Sequence, residues 1–131
     1  MIGLDTNVLV RFLLRDDETQ FQKANKLIQR EVTDGEGVLV SQLVLLETEW
    51  VLRSRYSFSK IQMLEVIASL LDTRDMKIED EQSVEEAIYQ WKDSNADFAD
   101  CLIAARYRRL GCSATATFDA SAVKLAGFVA V

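Results

Sequence analysis

The sequence predicts an α/β fold, a three-layer α/β/α sandwich around a central, mostly parallel sheet of four to five strands. Short apolar runs at residues 2–4, 38–40 and 128–131 alternate with longer stretches of helical period. Strand–helix alternation of this kind gives a parallel sheet with helices on both faces. Two predicted strands, residues 2–4 and 114–117, are each followed closely by a carboxylate, Asp5 and Asp119, and then at once by a helix. Finally, the chain has no proline, and its five glycines (3, 35, 37, 111 and 127) punctuate it without forming a linker. One domain over residues 1–131 is expected.

In chain order, residues 2–4 read as a short buried strand with Asp5 at its carboxyl end. Thr6 and Asn7 are capping types, and a dense apolar run from Val8 to Leu14 continues as a helix. Asp16, Asp17, Glu18 and Thr19 break that run. Phe21, Ala24, Leu27, Ile28 and Val32 then recur at helical spacing. Gly35-Glu-Gly37 ends this second helix, and Val38-Leu-Val40 has the wholly apolar character of a buried parallel strand.

Ser41 opens a helix to Arg55 that carries two glutamates. Glu49 has Arg53 four residues on, the favoured order for a surface ion pair. Glu47 lies between Leu43, Trp50 and Val51, an apolar face with no base within a turn. An acid there is either paired with a metal or at a helix edge that reaches water. Ser59 to Gln62 fits a capping box. Behind it, Ile61, Leu64, Ile67, Ala68 and Leu71 form one apolar stripe, and Met63, Val66 and Leu70 form a second. Residues 76–78 read as an edge strand. Ser83 to Glu86 reads as another capping box, with Val84, Ala87, Ile88 and Trp91 as the core stripe.

The segment from Asn95 to Ala105 starts an almost continuous apolar helix that ends in Arg106, Arg108 and Arg109, with Gly111 at C′. Asp97 and Asp100 share a face at its positive end. Asp97 is either an N-cap or a ligand. Asp100 aligns with Ile103, Ala104 and Tyr107 on a side expected to be buried. A strand at 114–117, Asp119, a short helix at 120–126 and a last strand at 128–131 complete the chain.

Composition narrows the chemistry. The chain has 131 residues, 49% apolar and 27% charged, as in an ordinary soluble domain. No apolar run is long enough to span a bilayer and no basic, signal-like lead is present, so a cytoplasmic protein is expected. Histidine is absent, which removes Ser-His-Asp and Cys-His catalysis and every His-ligated metal site. Cys101 and Cys112 form no CxxC pair and are expected to be buried apolar filler. Any bound metal must therefore be held by oxygen, which points to Mg²⁺ or Mn²⁺. The net charge of −6 argues against simple phosphate binding through Lys and Arg. It suits a partner carrying a basic segment.

In a parallel sheet all strand carboxyl ends lie on one edge. Asp5, Glu47, Asp100 and Asp119 each follow a strand or sit near a helix start at that edge, so four carboxylates are expected to converge there. Their repulsion is tolerable with a divalent cation among them, and such a cation can activate water against a phosphodiester.

Four motifs, DTNVLVR (5–11), LLETEWVL (45–52), ADFADCLIAA (96–105) and TATFD (115–119), occur in this order. With them the chain resembles the PIN domain family, and within it the VapC-type toxins of bacterial toxin–antitoxin pairs. The resemblance implies a ribonuclease dependent on Mg²⁺ or Mn²⁺, with metal binding and catalysis on Asp5, Glu47, Asp100 and Asp119. It implies Asp97 as an accessory metal ligand, and Asn7 and Thr117 as polar positions that orient the acids. It also implies an RNA substrate, a cognate antitoxin and a homodimer. Arg11, Arg15, Arg106, Arg108 and Arg109 are candidates for steering RNA or are simply a solvated face. Two other readings stand beside this one. One is a catalytically silent binding module of the same fold. The other is a phosphatase using Asp5 as nucleophile, for which Asn7 stands where a second acid is usual.

Overall fold

Ile2 and Gly3 (β1) pair in parallel with Val38–Val40 (β2), and β2 pairs in parallel with Met76–Ile78 (β3). The computed structural model describes all residues 1–131 and separates into two units, residues 1–79 and 80–131. The first unit holds the three-stranded sheet in the order β1-β2-β3. Its helices are α1 (Thr6–Leu14), α2 (Glu18–Asp34), α3 (Gln42–Arg55) and α4 (Lys60–Asp72). The second holds α5 (Glu81–Lys92), α6 (Phe98–Arg109), β4 (Thr115–Thr117), α7 (Ala120–Val123) and β5 (Phe128–Ala130). There β4 and β5 pair in parallel. The α/β class and the parallel pairing are those expected, and the five strands stand as one ladder of three and one of two.

In the first unit, Val38 and Val40 are completely buried in the central strand. Leu9, Leu45, Leu52, Met63, Ile67 and Met76 close around the sheet with at most 2% exposure. Each such side chain contributes about 1.5–3 kcal/mol by leaving water. The strand order places β3 on an edge, as expected. It places β1 on the other edge, so Ile2 is 37% exposed and the expected buried first strand is a half-covered one. Before β2, Gly37 sits at φ 85°, and a side chain there would crowd the carbonyl of Asp75 at 3.1 Å. Both Gly's left-handed freedom and its lack of a Cβ are used.

Helix ends follow local chemistry closely. Asp17 caps α2 through the N–H of Gln20, and Ser41 caps α3 through that of Val44. Ser59 and Gln62 form both arms of the predicted box. Gly111, at φ 94°, follows α6, with Cys112 N–H on the Tyr107 carbonyl at 2.9 Å and Gly111 N–H on the Arg108 carbonyl at 3.1 Å. This is the Schellman arrangement its position predicts.

Three expectations fail, and one open choice is settled. Helix α5 starts two residues before Ser83, which is fully buried and gives its hydroxyl to Asp80 instead of capping. Of the two stripes on α4, Met63, Ile67 and Leu70 are buried, while Ile61 is 69% exposed. The helix is apolar on both sides, so periodicity alone could not choose between them. Cys101 is buried filler, but Cys112 lies beyond the helix end and is exposed. Ile103 and Tyr107, expected to be covered, are 42% and 45% exposed.

Candidate active site

The second unit gathers three of the predicted acids. Asp97 occupies the N-cap position of α6, with extended backbone, yet its carboxylate makes no capping hydrogen bond. Asp100 stands at the third helical position, half-buried, and accepts from the backbone N–H of Asp97. That is the returning arm of a capping box without its outgoing arm. Burial pushes the Asp100 carboxyl above its ordinary value, and the charges of Asp97 and Asp119 push it further. The Asp97 N–H works in the opposite sense but does not restore it. Asp119 follows β4 and caps α7, accepting from the N–H groups of Ser121 at 2.8 Å and Ala122 at 3.3 Å. Thr117 fixes the approach, its hydroxyl oxygen accepting from the Asp119 N–H at 3.0 Å. Asp97 and Asp119 therefore both lie within electrostatic reach of Asp100, and Thr117 holds the backbone that carries Asp119.

The first unit holds the other predicted residues. Asp5 follows β1 and caps α1, accepting from the N–H of Thr6 at 2.8 Å. Its carboxylate is otherwise free and exposed. Asn7 is exposed two residues on, lining a shallow groove of 280 Å³ with Val8, Arg11, Gln20, Lys23, Ala24 and Leu27. Glu47 corrects the expectation made for it. Helix α3 buries Leu45, Thr48, Glu49 and Leu52, which leaves Glu47 exposed along with Leu43 (79%) and Trp50 (50%). Of the apolar neighbours that suggested burial, Leu43 and Trp50 are themselves exposed and Val51 is half-buried. Glu49 is the buried acid, and its predicted pair with Arg53 forms at 2.9 Å between a covered carboxylate and a half-exposed guanidinium. The place of Glu47 in a site thus rests on its motif and not on desolvation.

The arginines that could steer a polyanion are all engaged. Arg11 bonds Asp16 at 2.9 Å and Arg15 bonds Glu18 at 3.1 Å. Arg106 and Arg109 each reach Asp80 at 2.7 Å, and Arg108 lies 3.9 Å from Glu86. Sequence reasoning missed Asp80 as the hub of this cluster. The available signal was an acid just before a helix, with an arginine-rich helix end later in the chain.

The chemistry of the donor set suits a hard cation. Asp97, Asp100 and Asp119 offer only oxygen, no cation neutralises them, and Asp97 has a carboxylate with no hydrogen-bonding task. In neither unit do three acids already stand at metal-ligand spacing.

A family model described as PIN domain matches residues 2–127. A curated VapC ribonuclease of Aquifex aeolicus (strain VF5) is 26% identical over 128 residues, covering 98% of this chain and 93% of the relative. Among solved structures, VapC20 of Mycobacterium tuberculosis, described as a sarcin–ricin loop cleaving toxin, aligns with a TM-score of 0.44 and 21% identity. That alignment covers 98% of this chain and 97% of the other.

Proposed function

This chain belongs to the PIN domain family, and from that premise we propose that it is a divalent-metal-dependent endoribonuclease, the toxin of a toxin–antitoxin pair. The observation that carries the reading is Asp100, a half-buried carboxylate at a helix N-terminus with Asp97 and Asp119 as like-charged neighbours. A site of this kind is uncomfortable empty and is relieved by a cation. The full-length similarity to a curated VapC ribonuclease supports the same choice.

In this reading Asp97, Asp100 and Asp119 hold Mg²⁺ or Mn²⁺, and Asp5 and Glu47 are further catalytic and metal-binding acids. When bound, the ion supplies Lewis-acid activation of water and charge stabilisation at phosphorus. The chain's own contributions are local. The N–H groups of Ser121 and Ala122 hold the Asp119 carboxylate in one orientation, and the Thr117 hydroxyl holds the Asp119 backbone N–H. The Asp97 N–H does the same for Asp100. Asn7 is assigned as the polar residue beside Asp5. Water attacks phosphorus in line, the bond to the 3′ oxygen breaks, and a 5′-phosphate and a 3′-hydroxyl result. No histidine is available as a base. The acidic surface is assigned to a basic segment of a cognate antitoxin, and the active form to a homodimer in the cytoplasm. No helix is long and apolar enough to cross a membrane.

Cleavage of a structured RNA with Mg²⁺ or Mn²⁺ tests the assignment. Asp5→Asn is expected to lower the rate by at least about 100-fold. Undiminished cleavage by both this variant and Asp100→Asn overturns it. Adding Mn²⁺ at about 100 times its Kd is expected to stabilise the fold by about 2.7 kcal/mol, a Tm rise of roughly 10 °C. One observation favours the silent binding module, namely that no three acids are preset at ligand spacing. Calorimetry with Mn²⁺ separates the two, because the silent module takes up no heat-producing metal.

A further inference from the structure

Phe118 is 89% exposed, more than any other large hydrophobic side chain in the protein. The backbone on both sides of it is held. Thr117 ends β4 and receives the Asp119 N–H, and Asp119 is tied to Ser121 and Ala122 at the start of α7. Two such anchors fix the backbone at Phe118, and the ring has no aromatic or cationic neighbour. Its Cα lies about 3.8 Å from that of Asp119, and Asp119 is close enough to Asp100 to raise the proton affinity of its carboxyl. Phe118 is thus the immediate chain neighbour of one of the acids, between Thr117 and Asp119.

The same unit offers a polyanion two exposed lysines, Lys92 and Lys124, and three arginines that are already paired. Its arginines 106, 108 and 109 face Asp80 or Glu86. Grasping phosphates with them means breaking ion pairs. Base stacking on an aromatic ring adds affinity beside whatever cations hold the backbone, and it tolerates any base because every base has a π-face.

We propose that Phe118 is the platform on which one base of a single-stranded RNA segment stacks, beside the acids proposed to serve the phosphate. The inference rests on the nuclease reading and adds to it a residue that binds substrate.

The test uses the full chain, a labelled mixed-sequence 12-nucleotide single-stranded RNA, and Ca²⁺ in place of Mn²⁺ so that binding is read without turnover. Phe118→Ala is expected to weaken binding by about 5- to 150-fold. The loss should be the same at low and high salt, because no phosphate contact is removed. Phe118→Trp is expected to bind as the wild type does, and its added emission over that of Trp50 and Trp91 is expected to be quenched by the RNA. Equal binding by Phe118→Ala and wild type, or unquenched emission from Phe118→Trp, overturns the proposal. So does a Phe118→Ala variant whose only change is its elution volume in size-exclusion, which would assign the ring to a protein contact. If the wild type cleaves RNA with Mn²⁺ while Phe118→Ala cleaves equally well, this inference falls and the nuclease reading stands. A wild type that neither binds nor cleaves RNA removes both.

Discussion

Asp100→Asn is expected to lower ribonuclease activity by at least about 100-fold while raising the Tm of the metal-free protein. The two effects have opposite signs because one charge causes both. Burial and the neighbours Asp97 and Asp119 raise the Asp100 carboxyl above its ordinary value of 3.8, so the folded protein holds this proton more tightly than the unfolded chain does. A raised acid contributes its full stability below the unfolded value, and that contribution is lost as pH rises through the folded one. At neutral pH the ionised group is therefore a net cost, and asparagine removes it. The amide oxygen can still accept the Asp97 N–H, so the helix start is kept. Melting followed from about pH 3 to 7 checks this: the wild type should lose stability relative to the variant as pH rises. The proton on Asp100 also competes with a metal, so metal affinity is expected to rise with pH over the same range. A variant less stable than wild type at every pH would make Asp100 a structural cap.

How legible this was depends on the range of the interaction. Helix starts and stops are set by residues within a turn, and several were readable: the Ser59 box and the Gly111 stop form, although the box expected at Ser83 does not. Short strands flanked by turns were readable for the same reason. The rotation of a helix was not, where both of its sides are apolar. Helix α3 offered Leu43 and Trp50 on one side and Leu45 and Leu52 on the other, and the core took the second pair. That choice turned Glu49 inward and Glu47 outward. The acids of the second unit were legible because they lie at a strand end and a helix start. The arginines were not, because their partners are far apart in sequence. Arg106 and Arg109 look like a free basic helix end until Asp80 is found against them.

That hub gives the second large effect. Asp80→Asn is expected to cost about 2 kcal/mol, roughly 8 °C in Tm. Burial by itself would push the Asp80 carboxyl up, but the Ser83 hydroxyl and the guanidiniums of Arg106 and Arg109 outweigh it and hold the group below its ordinary value. The Asp80 side chain is only 9% exposed, while those of Arg106 and Arg109 are 42% and 35% exposed. The arginines can rehydrate when released, which keeps the cost below that of breaking a fully buried pair. Asparagine isolates the charge: Asp80 sits at φ 50°, ψ 61°, a left-handed conformation that asparagine accepts and most other residues resist. The pH dependence runs opposite to that of Asp100. A depressed acid contributes stability above the unfolded value and loses it as pH falls through the folded one, so the gap between wild type and Asp80→Asn should close in acid. Chemical denaturation at neutral and acidic pH reads it directly, and a gap that persists in acid would rule out charge pairing as its source. Two aspartates in one unit thus titrate in opposite senses because two arginines are committed to the scaffold at Asp80 and none to Asp100, which leaves Asp100 without a cationic partner.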